Sequence, residues 1–272
     1  MDFFLNFFDV MPFWQRGTWV LFCLTFFWLL EGGIPLFLFS YKKWKHAGVN
    51  FAFLGSTLII NTLFGIATLG VFRWIETNQF GILYLFDIPV WLGFLLSMLV
   101  FDLVAQYMAH YMLHRVKLLW RFHMVHHADT HVDATTGPRL HPGDFILRET
   151  LSLVVVVIMG APLAYYLFYR FCTIFFTYFT HANISLPMWI DKPLSYIFIT
   201  PNVHKFHHHF ERPWTDTNFG NIFSVWDRLF GTFVYDDPKK IKYGLDVLDP
   251  KKDENVGYQF GLPFNKSVKT DY

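Results

Sequence analysis

Long apolar segments separated by short polar ones occupy the first part of the chain. Residues 17–40, 51–72 and 80–106 are predominantly apolar, and each reaches the roughly 20 residues that a transmembrane helix needs. The first segment is too long and too aromatic to be a cleaved signal peptide. The pattern therefore predicts three retained membrane-spanning helices, the third of which is long enough to continue beyond the bilayer.

The composition agrees with a membrane protein and excludes an ordinary soluble domain. Of the 272 residues, 54% are hydrophobic and 21% aromatic, while only 16% are charged. A net charge of +1 gives no reason to expect nucleic acid as a partner. The two cysteines, Cys23 and Cys172, lie in apolar segments, where burial as small hydrophobic residues is expected rather than a disulfide.

The polar positions that interrupt the apolar pattern are rich in histidine. The chain contains an HxxxH motif followed closely by HxxHH, and a second HxxHH much later. In a helix, residues three or four positions apart lie on one face, so each motif presents two or three imidazoles together. The eight histidines of these motifs are His110, His114, His123, His126, His127, His204, His207 and His208.

So many imidazoles on converging helix faces indicate a metal centre. Protonated rings would repel one another, and buried polar rings are costly without partners, whereas a metal ion uses them directly. One structural zinc ion takes about four ligands, so eight ligands predict two metal ions. Neutral imidazole suits iron, copper and zinc alike, and the motifs alone leave the metal open.

The motifs and their spacing resemble the fatty acid hydroxylase and sterol desaturase superfamily. Only residues 115–122 separate HxxxH from the first HxxHH, and the distant HxxHH is followed by NFG at 218–220 and WDRLFGT at 226–232. The resemblance covers roughly residues 102–233. Acyl-CoA desaturases also contain three histidine motifs, but a longer stretch separates the first two, so the short spacing favours the sterol desaturase branch.

The resemblance implies a non-haem di-iron centre that activates O2 to attack an unactivated C–H bond. The eight histidines would be iron ligands, and His181 occupies a position where the family tends to have another ligand. The alternative for His181 is a histidine that caps a membrane helix at the interface. The resemblance implies a hydroxylase or desaturase of a lipid, such as a sterol, fatty acyl chain, ether lipid or carotenoid, with no catalytic residue beyond the metal ligands.

The electrons for such a reaction are expected to come from a separate electron-transfer protein or reductase. The chain contains no G-x-G-x-x-G nucleotide loop, no haem motif and no cysteine cluster for an iron–sulfur centre. The expected partners are thus the membrane, a lipid substrate and an external electron donor.

The apolar segment 151–180 is predicted to be a hairpin. A single span there would leave the third histidine motif on the opposite side of the membrane from the first two. Gly160 and Pro162 lie near its middle, where a helix is readily broken. The sequence therefore predicts an all-α integral membrane protein with about four transmembrane helices or helix pairs and a cytoplasmic, histidine-rich helical cap.

Basic residues assign the sides of the membrane. Lys42, Lys43 and Lys45 follow the first apolar segment, and Arg115, Lys117 and Arg121 follow the third, against Arg16 and Arg73 elsewhere. The positive-inside rule then puts the N-terminus outside and the histidine motifs in the cytoplasm. The membrane would be the plasma membrane in a bacterium or the endoplasmic reticulum in a eukaryote.

Three regions are expected along the chain. Residues 1–101 form N-terminal transmembrane helices, residues 102–235 form a fatty acid hydroxylase-type catalytic domain that includes the hairpin, and residues 236–272 form a cytoplasmic tail.

Two acidic residues near the apolar segments have alternative interpretations. Asp102 lies along the same side of the predicted helix as His110 and His114. It is therefore expected either to fix the tautomer of an imidazole or simply to end the membrane span. Glu31 is expected to be a structural or interfacial residue rather than a functional one.

Asp144 stands where the family commonly has Glu after a His-Pro pair, which weakens any role transferred to it.

The remaining histidines are not expected to bind metal. His131 and His141 lie in a polar, turn-rich segment and are expected to be loop residues or to support ligands. His209 points about 100° away from His208 on a helix. His46 belongs with the basic loop.

Two other functions remain as alternatives. A membrane metal transporter would place its ligands inside spanning helices near the bilayer midplane, whereas these histidines lie mostly at helix ends or in polar segments. A non-catalytic homologue kept as a scaffold would be expected to have degenerate motifs, and here all three motifs are intact.

Overall fold

The computed structural model describes residues 1–270, and the regular secondary structure in that part of the chain is helical. Only two isolated β-bridges, Pro35 with Ile184 and Phe198 with Phe223, occur among these residues. The helices are α1 (Asp2–Asp9), α2 (Phe13–Gly33), α3 (Lys43–Asn78), α4 (Val90–Phe101), α5 (Ala109–Arg115), α6 (Lys117–His127), α7 (Pro142–Met159), α8 (Leu163–His181), α9 (Met188–Leu194), α10 (Pro201–His207), α11 (Val225–Leu229) and α12 (Val256–Gly261). A π-helical segment, Asp102–Met108, joins α4 to α5. The predicted all-α class is confirmed.

Helix α3 has the length and surface of a membrane span. Its 36 residues extend over about 54 Å at about 1.5 Å per residue, which exceeds the roughly 30 Å of hydrocarbon in a bilayer. Leu58, Leu63 and Ile66 on this helix are at least half exposed, so it presents apolar side chains outward. The continuous stretch Val90–Arg115 is also long and apolar enough to cross a bilayer. Two stretches of residues 1–270 meet these criteria, and a larger number of spans stays a prediction.

The third predicted helix begins later than the hydrophobic pattern suggested. Residues 80–89 form a loop with a single 3-10 turn, and α4 starts at Val90. Gly81 has a φ of 117°, which side chains rarely allow, and Pro89 has extended backbone at the start of the helix. Hydrophobicity alone suggested a helix here because it does not register these two conformational breaks.

The predicted break in the apolar segment 151–180 is confirmed. Gly160 ends α7 with a φ of 67°, and Pro162 precedes the first residue of α8. A Cβ on Gly160 would lie 2.4 Å from the carbonyl oxygen of Phe80, so only glycine fits where the two loops meet. Helix α8 then returns the chain to the histidine motifs, where His181 contacts His126.

Aromatic and acidic side chains fix the helices to one another. The ring of Tyr169 on α8 stacks on that of Phe101 on α4 with centroids 4.9 Å apart, and its hydroxyl donates to the Phe101 carbonyl. Glu31 near the end of α2 accepts hydrogen bonds from the backbone N–H groups of Ala134 (2.6 Å) and Asn183 (2.7 Å). Glu31 therefore ties α2 to the loops that follow α6 and α8, which agrees with its structural interpretation.

The C-terminal segment packs beside α6 and the start of α3. Arg121 on α6 donates to the carbonyl oxygen of Pro263, and Lys45 pairs with Glu254 at 2.9 Å. These contacts bring the start of α3, helix α6 and the C-terminal segment to one end of the molecule. Asn78, at the other end of α3, lies a whole helix length away.

Labelling of single cysteines should report the same separation. In a chain without the two native cysteines, we predict that cysteines beside Lys43, Lys117 and Lys251 are labelled from the same side of the membrane, because these regions contact one another. A cysteine beside Asn78 should be labelled from the opposite side, because α3 is long enough to cross. Opposite sides for Lys117 and Lys251 would contradict the arrangement, and the parent chain without cysteines controls for background labelling.

Candidate metal centre

A break in the chain at Val116 brings the first two histidine motifs face to face. Val116 has extended backbone (φ −102°, ψ 114°) between α5 and α6. Helix α6 consequently folds back beside α5, and the ring of His123 lies 4.8 Å from that of His110 and 4.9 Å from that of His114. The short spacing between the motifs thus produces a helix pair whose histidine faces meet.

The third motif is supplied by α10. Thr200 precedes this helix, and its side chain accepts a hydrogen bond from the backbone N–H of Val203, which fixes the start of the helix. The His207 ring lies 4.5 Å from that of His110, on α5. Helix α10 therefore completes a cluster to which three separate parts of the chain contribute.

The imidazoles form two adjacent groups, within each of which the candidate ligand nitrogens lie within 4.8 Å of one another. Group 1 contains His110, His114, His123, His127 and His207, and group 2 contains His126, His181, His204 and His208. All these side chains are buried. The structure thus brings together every residue that the sequence predicted as a ligand, including His181 at the end of α8.

Two rings of group 1 are held by backbone carbonyl groups. Nδ1 of His110 lies 2.8 Å from the carbonyl oxygen of Phe219, and Nδ1 of His207 lies 2.6 Å from that of Thr217. A carbonyl oxygen only accepts hydrogen bonds, so each Nδ1 must carry the hydrogen. Each Nε2 is then left with a lone pair that faces the other rings of the group.

Two further rings of group 1 are held by carboxylates. Nδ1 of His123 donates to Asp144 at 2.5 Å, and Nδ1 of His114 lies 3.3 Å from Asp216. Burial alone would raise the pKa of Asp144, but the charge of Arg148 and the contact with His123 hold it below its usual value. Asp144 therefore stays ionised and fixes the His123 tautomer. The sequence did not predict this role, because the family commonly has Glu at this position.

The lone pairs of group 1 have no protein donor to satisfy them. Nε2 of His110 and Nε2 of His123 are only 2.9 Å apart, although both nitrogens carry lone pairs. Nε2 of His114, Nε2 of His207 and both nitrogens of His127 are buried without a hydrogen-bond partner among residues 1–270. Converging lone pairs of this kind repel one another unless a cation lies between them, so the donor set fits a metal ion.

The imidazole lone pairs of group 2 also converge. Nδ1 of His181 lies 2.7 Å from the carbonyl oxygen of Thr177, which leaves the lone pair on Nε2. That Nε2 lies 3.0 Å from Nε2 of His126, 3.0 Å from Nε2 of His204 and 3.3 Å from Nε2 of His208. Four imidazole nitrogens thus converge on one point, and they fit a second metal ion.

Burial keeps these imidazoles neutral. Burial, reinforced by neighbouring imidazoles, lowers the pKa of five rings well below the usual value: His126 and His127 on α6, His204 and His207 on α10, and His208 just after α10. Burial acts because it disfavours the charged form of a ring. The rings are consequently neutral near pH 7, which is the form that binds metal ions.

Asp102 does not contact an imidazole. Its buried carboxylate accepts hydrogen bonds from the backbone N–H groups of Ile222 (3.3 Å) and Phe223 (3.1 Å) and from Nε1 of Trp226 (3.0 Å). The interpretation that it fixes a tautomer is therefore wrong. It lies inside the continuous helical stretch Val90–Arg115, and the alternative that it marks the end of the membrane span stays a prediction.

The loop of residues 219–223 is held from both sides by buried carboxylates. Asp227 accepts the backbone N–H groups of Phe219 (2.7 Å) and Gly220 (2.9 Å), while Asp102 holds the other end of the loop. A Cβ on Gly220 would lie 2.8 Å from the carbonyl oxygen of Phe223, which leaves no room for a side chain. The loop that supplies a carbonyl oxygen to group 1 is thereby fixed in one conformation.

Three of the other histidines support loops and helix ends. His131 stacks on Tyr41 with ring centroids 4.8 Å apart. His141 precedes α7 and accepts the backbone N–H of Gly143. His209 accepts the backbone N–H of Glu211. These three side chains lie outside both groups.

His46 has an environment that the sequence did not reveal. It was expected to belong to the basic loop, but it is fully buried, and its Nε2 lies 2.8 Å from Oδ1 of Asp129. Asp129 also accepts a hydrogen bond from Thr136 and lies 3.7 Å from buried Arg139, which donates to the carbonyl oxygen of Asp253. His46 and Asp129 are 83 positions apart, so no local spacing could have indicated the pair.

A cavity of about 210 Å³ adjoins the two groups. Its lining includes His110, His126, His181 and His204. Leu54 and Leu58 of α3 line it as well, and Leu58 is half exposed on the outer surface of that helix. Ligand pockets are typically about 300–1,000 Å³, so this cavity has room for part of a lipid rather than for a whole one.

The comparison with protein families gives one match over the centre of the chain. The fatty acid hydroxylase family profile matches residues 94–232, slightly more than half of the chain. This region contains all nine clustered histidines. No solved structure matches significantly.

Curated relatives match about half of the chain. Ornithine lipid hydroxylase OlsE of Rhizobium tropici is 35% identical over 127 residues, which cover 47% of this chain and 38% of that protein. Alkylglycerol monooxygenase is 26% identical over 173 residues in Caenorhabditis elegans (61% and 31% of the two chains) and 28% identical over 148 residues in Homo sapiens (51% and 30%). The chain spans about a third of the length of these relatives.

The contact between Asp144 and His123 leads to a prediction about metal affinity. We predict that Asp144→Asn weakens metal binding about 10–100-fold, the usual effect of losing a residue that orients a ligand. The amide cannot stabilise the His123 Nδ1–H as the carboxylate does, so the ring no longer keeps its Nε2 lone pair in place. The measurement is metal retention against a competing chelator, with Asp87→Asn in an exposed loop as the matched control. Equal retention by both variants would contradict the assignment.

Proposed function

The chain belongs to the fatty acid hydroxylase family, and on that premise we propose that it is a membrane-bound lipid hydroxylase with a non-haem di-iron centre. The observation that carries the proposal is the pair of buried, neutral imidazole groups beside an apolar-walled cavity. Neither a structural fold nor a simple pH sensor needs so many imidazoles with inward-facing lone pairs. We infer hydroxylation rather than desaturation because the matched relatives are named hydroxylase or monooxygenase.

The two groups would each hold one iron ion. We assign the five imidazoles of group 1 to one ion and the four of group 2 to the other. His123 of group 1 and His126 of group 2 lie about one turn apart on α6, and their ring centroids are 5.4 Å apart. The two sites are therefore neighbours. Iron bound there supplies the activation of O2, which protein side chains cannot perform.

The reaction would insert one atom of O2 into a C–H bond to form C–OH, and the other atom would leave as water. Two electrons and two protons are then required, and we propose that a separate electron-transfer protein or reductase supplies the electrons. The chain's own residues would exclude bulk water, orient the imidazoles and hold the lipid in the cavity. The apolar wall of Leu54 and Leu58 suits a hydrocarbon chain that enters from the membrane.

The proposed location follows from the same features. The two long apolar helical stretches and the exposed apolar face of α3 support an integral membrane protein. We propose that the end with the histidines faces the cytoplasm, as the basic residues predict, and that residues 102–235 form the catalytic unit between N-terminal helices and a C-terminal segment.

The first test of this proposal is the metal content. Protein purified after expression in iron-rich medium should contain about two iron ions per chain, as expected for two groups of four or five ligands. His126→Ala should reduce iron in group 2, and His207→Ala should reduce it in group 1, each leaving one ion or none. Elemental analysis of folded protein gives the stoichiometry.

The matched control is His209→Ala, since His209 adjoins His208 but lies outside both groups. It should keep about two iron ions. A folded preparation that holds one zinc ion and no iron under the same conditions would count against the di-iron centre.

The second test is the activity. Expression in a host that supplies a reductase should produce lipids heavier by one oxygen atom, and the new oxygen should come from 18O2 rather than from water. The His126→Ala variant should abolish this product, because it removes a ligand of group 2. Untargeted lipid mass spectrometry is the measurement, since it needs no prior choice of substrate.

The proposal fails if no O2-dependent lipid change appears in hosts that contain sterols, fatty acids, ether lipids and carotenoids, with iron bound and electrons available. A change that persists in His126→Ala would likewise assign the activity to another protein of the host.

A further inference from the structure

Among the residues that line the cavity beside the histidines, Asn221 has a polar atom outside the imidazole groups that the protein does not satisfy. Oδ1 of Asn221 is buried without a hydrogen-bond partner among residues 1–270, and Asn221 lines the cavity. Its Nδ2 donates to the hydroxyl of Thr177 at 3.3 Å, so one half of the amide is engaged while the other half is not. An unpaired buried acceptor of this kind is costly and calls for a partner from outside the chain.

Asn221 is held rigidly in this position. It lies in the middle of the 219–223 loop, where Asp227 binds the N–H groups before it and Asp102 binds those after it. The backbone at Asn221 is therefore fixed, and the hydrogen bond from Nδ2 to Thr177 orients its amide. A polar group fixed in advance costs little further ordering when a ligand binds, which is the arrangement expected of a binding residue.

Asn221 is also close to the metal-binding groups. Thr177, which accepts its Nδ2–H, supplies the backbone carbonyl that orients His181 of group 2. Two connected hydrogen bonds thus link the Asn221 amide to a candidate iron ligand. A molecule bound to Asn221 would have its polar group near the site where oxygen is inserted.

The cavity lining contains both ionisable and apolar side chains. The Glu149–Arg170 ion pair, with its closest atoms 2.6 Å apart, lines the cavity together with Asn221. Leu54 and Leu58 of α3 supply apolar lining that reaches the outer surface. Ionisable residues among membrane helices usually serve function. A lining of this kind suits a lipid whose polar part lies near Asn221 and whose hydrocarbon chain passes Leu58 at the outer surface.

We propose that Asn221 is a substrate-binding residue and that the substrate is a lipid with a hydroxyl or amide N–H group within a few bonds of the carbon that is hydroxylated. This inference rests on the proposed function. The hydrogen of that group would be donated to Oδ1 of Asn221, and the neighbouring C–H bond would then face group 2. Hydroxylation should consequently occur near the polar end of the lipid rather than at its distal end.

The first part of the test locates the new oxygen. The lipid that gains 18O in the wild-type protein is fragmented by tandem mass spectrometry, which gives the position of the label. We expect the label within a few bonds of a hydroxyl or amide. A label far along a hydrocarbon chain, or in a lipid that has neither group, would overturn the inference and leave the proposed hydroxylase standing. Absence of any labelled lipid would instead remove the proposed function.

The second part compares the identified lipid with an analogue whose hydroxyl or amide hydrogen is replaced by methyl. The wild-type protein should prefer the unmodified lipid by about ten-fold or more in kcat/KM, because the methylated analogue leaves the acceptor unpaired. In Asn221→Leu, which has no acceptor, this preference should fall to about one. Thr177→Val, which removes the neighbouring hydroxyl but keeps the Asn221 oxygen, should retain a preference.

Iron content controls for folding, and Asn221→Ala, which also has no acceptor, serves as a second variant if Asn221→Leu does not hold iron. Equal use of the two lipids by the wild-type protein would overturn the inference. A preference that survives in an iron-loaded Asn221 variant would overturn the assignment to this residue. A merely structural role would lower the activity on both lipids equally and leave their ratio unchanged.

Discussion

The hydrogen bonds that fix the imidazole Nδ1 atoms are the interactions on which the rest of the site depends. Carbonyl oxygens hold His110, His207 and His181, and carboxylates hold His123 and His114. Because these partners only accept, they determine which nitrogen of each ring keeps its lone pair. Burial then keeps the rings neutral. The fold therefore has to supply both a dry interior and correctly placed acceptors, and its helices and loops are arranged to do so.

The segment after the third motif shows how those acceptors are placed. The 219–223 loop supplies the carbonyl that orients His110, and the side chains of Asp102 and Asp227 hold four of its N–H groups. Asp102 comes from the helix that also carries His110. One helix thus supplies a ring and, through a carboxylate two turns away, the loop that orients the same ring. His110 and the carbonyl oxygen that orients it are consequently held by the same helical stretch.

Much of this arrangement could be predicted from the sequence, because the histidine spacing is local. The i, i+3 and i+4 positions share a helix face whatever the tertiary structure, and Gly160 and Pro162 indicated the turn between α7 and α8. The supporting residues could not be predicted in the same way. His46 and Asp129 meet across 83 positions, and Asp102 has the same spacing to the histidines whether it faces a ring or a backbone loop. Hydrophobicity also could not distinguish the loop at 80–89 from a helix, since backbone conformation at Gly81 decided it.

Buried Arg139 has a consequence for the order in which the protein is made. Its guanidinium donates to the carbonyl oxygen of Asp253, 114 positions later in the chain. On the ribosome, the second histidine motif and Arg139 therefore emerge long before the carbonyl that completes their surroundings. The environment of α6 is finished only when the C-terminal segment has been synthesised and has packed against it. The surroundings of the second histidine motif therefore depend on a segment that lies 114 positions after Arg139, and they are incomplete until that segment has packed against α6.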